Sequence, residues 1–462
     1  MIPFGWLQIF RIGLIQAALG AMVVLTTSTL NRVMVVELAL PALLPGFLVA
    51  LHYLVQVARP RMGFGSDAGN RRTPWIVGGM AVLATGGVLA SVATAWMTSN
   101  RTAGMALAVF AFCLIGLGVS ASGTSLLVML AKRVPEGRRA AAATIVWMMM
   151  IFGFAVTSGL AGKMLDPYSP LRLVVVTACV CAVAFVMAMA GIYKLEGAVL
   201  VRAANQTSET AQPAFRQALA QVWAEPAARQ FTIFVFLSML AYSAQDLILE
   251  PFAGTVFGFT PGASTSLSGV QHGGVLAGMI LVALAGVLGA RWSHTPVLRH
   301  VGSLRGWTVG GCIASAAALA GLSTAGFVGP GWPLKETVFA LGVANGAFSI
   351  GAISSMMRLA NQGRHAREGV RMGLWGAAQA IAFGLGGLMG TAASDMARWL
   401  IASPGVAYAS VFGVEAGLFV LSAVLAWGVG KPAAQVGKLA KPDLPTTKHQ
   451  PISFSLTNSA QP

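Results

Sequence analysis

Lys194-Leu-Glu196-Gly-Ala-Val-Leu-Val-Arg202-Ala-Ala-Asn-Gln-Thr-Ser-Glu209 opens a polar interval that runs to Gln230 and also carries Arg216 and Glu225. It stands between two long apolar tracts, so it divides the chain in two. Working outward, each side breaks into six apolar runs of spanning length. The first six are Ile12–Leu30, Leu38–Ala58, Pro74–Met97, Ala103–Ala131, Ala140–Gly162 and Leu171–Tyr193. The second six are Phe231–Leu249, Leu267–Ala290, Trp307–Phe327, Val338–Met357, Met372–Ala393 and Val406–Val429. Twelve spans of about 20 residues use about 240 residues, which a chain of 462 supplies with room for loops and a tail.

Composition agrees. The chain is 56% hydrophobic and 10% charged, with a mean hydropathy of +0.74. Soluble domains are about 45–50% apolar and about 25% charged. A soluble enzyme, a nucleic-acid binder and a single-span receptor are excluded on that ground. The expected fold class is an all-α membrane protein of twelve transmembrane helices. Its parts are a six-helix half over 1–194, a cytoplasmic linker over 195–228, a second half over 229–429 and a disordered cytoplasmic tail over 430–462. No cleavable signal peptide is evident, because the first apolar run continues to full spanning length.

The net charge of +16 is a topology signal. Of the 30 Lys and Arg, 24 fall on the N-terminus, the even-to-odd loops and the tail, and 6 on the opposite side. The positive-inside rule then places both termini in the cytoplasm.

Two six-helix halves with a long cytoplasmic connector are the layout of the major facilitator superfamily. The loop between the second and third runs, Gly63-Phe-Gly-Ser-Asp67-Ala-Gly69-Asn-Arg71-Arg72, resembles that superfamily's signature loop, with one glycine a place early. Glycines permit the tight turn, and Asp67 is able to pair with basic groups or cap a neighbouring helix. The bland alternative is an ordinary basic loop.

Energy and catalysis motifs are absent. There is no G-x-x-x-x-G-K-[ST] phosphate loop, and the five aspartates are too dispersed for a Mg²⁺-diphosphate cluster. No catalytic residue, metal site or covalently bound cofactor is expected. Gly116-Leu-Gly118 and Gly386-x-x-x-Gly390 read as small-residue helix contacts. Ionisable groups at the edges of apolar runs are the better lead, since each is costly in lipid and tends to face the bundle interior. Asn31-Arg32-Val-Met-Val-Val-Glu37 lies where the first helix turns into the second, and Tyr242-Ser-Ala-Gln245-Asp246-Leu-Ile-Leu-Glu250-Pro251 ends the seventh. Both precede a Pro-Gly step and then a histidine, His52 and His272. The offsets of 213, 216 and 220 residues between matching Glu, Pro and His are the weak repetition of two related halves. The bland reading of the histidines is an interhelical hydrogen bond; the sharper one is an axial contact to a chlorin metal.

Thr29-Leu-Asn31-Arg32-Val-Met-Val-Val-Glu37-Leu-Ala-Leu-Pro41, Arg71-Arg72-Thr-Pro74-Trp75-Ile and Ala244-Gln245-Asp246-Leu-Ile-Leu-Glu250-Pro251-Phe-Ala-Gly254 resemble the PucC family, the bacteriochlorophyll-delivery branch of that superfamily. The resemblance runs from about Trp6 to about Gly428. It implies a multi-pass protein of a bacterial inner (intracytoplasmic) membrane that helps bacteriochlorophyll reach light-harvesting antenna polypeptides. The implied partners are bacteriochlorophyll or a precursor as cargo, antenna polypeptides, a bacteriochlorophyll synthase and membrane lipid, with no nucleic acid. Asn31, Arg32, Glu37, His52, Gln245, Asp246, Glu250 and His272 are the implied pigment or partner contacts. Gly63, Asp67, Gly69, Arg71 and Arg72 form the implied conformational loop. Two alternatives stand beside this reading: a proton-coupled secondary transporter of a small amphipathic substrate, and an accessory subunit of a bacteriochlorophyll-esterifying enzyme.

Overall fold

Apolar runs of this length have to satisfy every backbone group internally, and helices do so within one segment. A computed structural model describes residues 4–56, 71–196, 223–291, 303–362 and 368–428. Among these the regular structure is helical: α1 (Trp6–Glu37), α2 (Leu43–Val55), α3 (Thr73–Trp96), α4 (Arg101–Arg133), α5 (Glu136–Leu165) and α6 (Pro170–Ile192). After the connector come α7 (Pro226–Phe257), α8 (Pro261–Arg291), α9 (Leu304–Val328), α10 (Leu334–Gln362), α11 (Glu368–Leu400) and α12 (Pro404–Gly428). Ten helices among the described residues are long and apolar enough to cross a membrane; the 13-residue α2 and α11 are not among them. Gly63, Asp67 and Gly69 of the signature loop, most of the linker and the tail lie outside the described residues.

Local signals set the ends. Asn100, Ser169 and Ser303 side chains accept hydrogen bonds from the first turns of α4, α6 and α9, each satisfying an otherwise orphaned N–H. Gly258, at φ +69°, ends α7 in the left-handed region that glycine tolerates.

Two boundaries differ from the sequence expectation in a way that matters. The first helix continues past Leu30 to Glu37, and the seventh past Leu249 to Phe257. The charged clusters therefore lie within helices, not at the turns that follow them. Hydropathy misplaces such ends because polar side chains that find partners on another helix do not terminate a span.

Buried apolar side chains form one core among α1–α6, joined by Leu247, and another among α7–α12. A smaller cluster of Ile151, Val275, Met279, Val282, Ala347 and Ile350 joins α5, α8 and α10. α2 packs along α11 and α5 along α8, so helices of the first six meet helices of the last six. The small-residue pairs behave as contacts: a Cβ on Gly118 would stand 2.7 Å from the Gly79 carbonyl, and one on Gly386 would stand 2.3 Å from that of Leu240.

Candidate functional site

α1 departs from regular geometry where its polar residues lie. Leu25–Thr29 and Val33–Glu37 are π-helical, on either side of the α turn Leu30–Arg32; π-helical turns recur at functional positions. On α7 the decisive residue is Pro251. A proline has no N–H, so the carbonyl four residues earlier, Leu247, loses its helical partner. Asn31 replaces it from α1, its Nδ2 donating to the Leu247 carbonyl at 2.6 Å. The two sequence clusters thus meet.

Further contacts bind the same crossing. Ser28 Oγ donates to Glu250 Oε1 and lies 3.3 Å from Ser268 Oγ on α8. Thr29 and Thr265 hydroxyls are 3.1 Å apart. Arg32, 2% exposed, contacts Glu37 Oε1 through Nη1 at 2.5 Å, while Glu37 is 33% exposed. Its Nη2 donates to the Phe259 carbonyl at 2.6 Å. Gly254 admits this guanidinium: a Cβ there would stand 2.9 Å from Nη2. Outside the spans, burial and the neighbouring Glu37 charge push the Tyr168 phenol up, and Arg32 opposes them.

Asp246 does not pair with Glu250; Gln271 Nε2 donates to its Oδ1 at 2.8 Å. Gln245 is fully buried, and neither of its amide atoms has a hydrogen-bond partner among the described residues. Asn31 Oδ1 likewise has none. Buried polar atoms are nearly always satisfied, so this concentration marks the crossing as a place with unused hydrogen-bonding capacity.

The histidines are not brought together. His272 Nδ1 lies 2.8 Å from the Ser268 carbonyl, and its ring meets Phe154 edge-on at 5.0 Å, beside the crossing. His52 sits apart on α2, its Nε2 2.9 Å from Gln56 Nε2 and its ring 4.5 Å from Tyr53. The Arg71–Arg72 pair lies elsewhere again, at the start of α3. There Glu196 accepts from Arg72 N at 2.7 Å, Thr73 N at 2.9 Å and Thr73 Oγ1 at 2.6 Å. Burial alone would raise the Glu196 carboxyl, but these bonds and the Arg72 charge hold it below the usual glutamate range. Among the described residues no group of three or more His, Cys, Asp or Glu is arranged to hold a metal ion.

Sequence reading missed Ser28, Thr265 and Ser268, because hydroxyls barely register in hydropathy. It also passed over Glu415, which is 2% exposed on α12 and close enough to Asp246 to interact electrostatically. The signal that would have linked the clusters is Pro251, whose missing donor calls for a side chain on a facing helix.

A family model described as "PUCC protein" matches residues 29–433. The chain belongs to the PucC family. It is 52% identical over 425 residues to the "Bacteriochlorophyll synthase 44.5 kDa chain" of Rhodobacter capsulatus, covering 92% of this chain and 96% of that protein. It is 28% identical to "Protein PucC" of Rhodobacter capsulatus over 91% of both chains. Among solved structures, a D-xylose-proton symporter superposes with a TM-score of 0.66 at 14% identity, covering 91% of this chain and 96% of that one. That likeness gives the fold, which is of the major facilitator type, and the PucC-family chain is a multi-span helical membrane protein.

Proposed function

We propose that this PucC-family protein assists bacteriochlorophyll delivery and light-harvesting complex assembly in a photosynthetic bacterium, and that it is not itself an enzyme. The observation that carries the reading is the α1–α7 crossing, where Asn31, Arg32, Gln245 and Glu250 bring buried polar groups together. Gln245 Nε2 there is a free donor suited to a keto or ester oxygen at the edge of a pigment, and Gln245 Oε1 and Asn31 Oδ1 are free acceptors suited to a donor such as a hydroxyl. The name of the 52% identical relative supports pigment as the cargo. A hydrophobic pigment needs shielding and lateral hand-over to antenna polypeptides, which a helical bundle open to lipid provides without crossing the bilayer.

In this reading the protein sits in the inner (intracytoplasmic) membrane as two six-helix halves with twelve spans and both termini cytoplasmic. Asp67 and Arg71–Arg72 act on conformation on the cytoplasmic side. The test is the absorption spectrum of the purified protein from hosts with and without pigment-synthesis genes. Pigment bands that depend on those genes support delivery; a colourless protein from the pigment-making host, with no antenna polypeptide co-purifying, contradicts it.

A second reading rests on a separate observation. Asp246 is half-buried on α7 and Glu415 is buried on α12, and neither has a Lys or Arg ion pair among the described residues. Carboxylates within membrane-spanning helices serve proton relays. Solute uptake into proteoliposomes driven by a pH gradient distinguishes that transporter reading. Stoichiometric co-purification with a pigment-esterifying enzyme distinguishes the accessory-subunit reading.

A further inference from the structure

Asp166 and Asp395 occupy matching places in the two sets of six helices. Asp166 directly follows α5, the fifth helix of the first set, and Asp395 lies near the end of α11, the fifth of the second. Each reaches the beginning of a helix in the other set. Asp166 Oδ2 accepts from Thr260 Oγ1 at 2.8 Å and its Oδ1 from Gly262 N at 3.3 Å, at the start of α8. Asp395 Oδ1 accepts from Ala42 N at 2.9 Å and its Oδ2 from Leu43 N at 2.7 Å, at the start of α2. A carboxylate there satisfies first-turn N–H groups and complements the positive end of the helix dipole. Ordinary caps come from the residue preceding the helix; these two come from distant sequence, 94 residues or more away, and span the two sets.

A glycine beside each cap lets the facing helices approach closely. A Cβ on Gly262 would stand 2.3 Å from the Gly162 carbonyl, and one on Gly46 would stand 2.1 Å from Thr391 Oγ1. Interfaces this close cannot be deformed continuously, so they open as units when their ties are released. Following the chain through alternating helices, all four elements meet on the face opposite the described ends, Phe4 and Gly428.

We propose that Asp166 and Asp395 are paired clasps that hold this face shut between the two six-helix sets, and that releasing them opens it. The proposal needs no pigment and stands apart from the α1–α7 site, although Arg32, through the Phe259 carbonyl, ties the same turn. Each clasp shifts the ratio of open to closed forms by about fivefold, the effect of one ordinary helix cap. Two independent clasps together give about 30-fold.

The experiment is pulsed electron–electron double resonance on the full chain in lipid nanodiscs. Spin labels replace Ser99, in the α3–α4 turn, and Lys335, at the start of α10, both exposed on that face. The four native cysteines are replaced by alanine. The combined Asp166→Ala and Asp395→Ala protein gains a longer-distance population, and each single variant gains less. Asp395→Asn keeps one of the two acceptor oxygens and gives a shift between wild type and Asp395→Ala, so the single variants decide the matter if the combined Ala protein does not accumulate. Distance distributions identical to wild type in all accumulating variants overturn the proposal. So does a shift no larger in Asp395→Ala than in Asp395→Asn.

Discussion

Asn31 and Pro251 are complementary across two helices: the proline deprives the Leu247 carbonyl of its helical donor, and the Asn31 amide fills that place at 2.6 Å. A residue that looks like a helix defect in α7 is thereby the reason α1 docks where it does. The relationship also explains why α7 runs on to Phe257 instead of breaking at its proline.

The pairing yields a double-mutant cycle. Asn31→Ala leaves the carbonyl unsatisfied and is expected to cost about 1 kcal/mol, the scale of interhelical hydrogen bonds in membranes. In a Pro251→Ala background the helix regains its own N–H, so the same substitution costs less. Thermal unfolding of the four proteins in detergent measures the coupling. Equal costs in both backgrounds contradict the pairing.

Arg32 and Glu37 give a second test. Breaking a fully buried ion pair costs about 3–5 kcal/mol; Glu37 is one-third exposed, so Glu37→Gln is expected to cost less. Exchanging the two residues restores opposite charges, but a glutamate at position 32 cannot donate to the Phe259 carbonyl. The exchange is therefore expected to recover only part of the lost stability. Full recovery in the unfolding midpoint would reduce Arg32 to its ion pair.

Glu196 predicts a pH dependence. Its carboxyl is held below the ordinary value of 4.5 in the folded protein, so its stabilisation is complete above that value. It disappears as pH falls through the lowered folded value. Glu196→Ala is expected to cost about 1 kcal/mol at neutral pH, as a lost helix cap does, and progressively less below the glutamate range. The check is the difference in unfolding midpoint between wild type and variant, followed from neutral to acid pH. A difference that grows on acidification has the wrong sign.

Topology is tested with reporter fusions. Fusions after Arg139 and Ala204 are expected to report cytoplasmic, and one after Lys335 periplasmic. A periplasmic signal at Ala204 removes the arrangement of two six-helix halves.

The fold was legible because apolar runs and charged loops are one-dimensional quantities: a span needs length, and a loop carries its charge in sequence. The charged clusters were visible for the same reason, since Arg32, Glu37, Asp246 and Glu250 interrupt apolar sequence. What joins them was not. Asn31 reaches Leu247 over 216 residues of separation and Ser28 reaches Glu250 over 222, contacts that depend on how α1 and α7 cross. His52 and His272 looked equivalent by offset, yet only His272 adjoins the crossing, because neighbours on α5 and α1 differ from those on α4 and α11. Glu196 and the two inter-set aspartates act on distant helix ends and left no local pattern.

The central claim is that the α1–α7 crossing works on pigment or antenna polypeptides and does more than stabilise the bundle. Antenna absorbance in a photosynthetic host lacking the gene, complemented with Glu37→Gln, Glu250→Gln or Gln245→Leu, tests it most directly. Protein levels are followed by immunoblot. The account predicts normal accumulation of the Glu250→Gln and Gln245→Leu proteins with reduced antenna absorbance. Full antenna absorbance from all three variants at wild-type protein levels would contradict it.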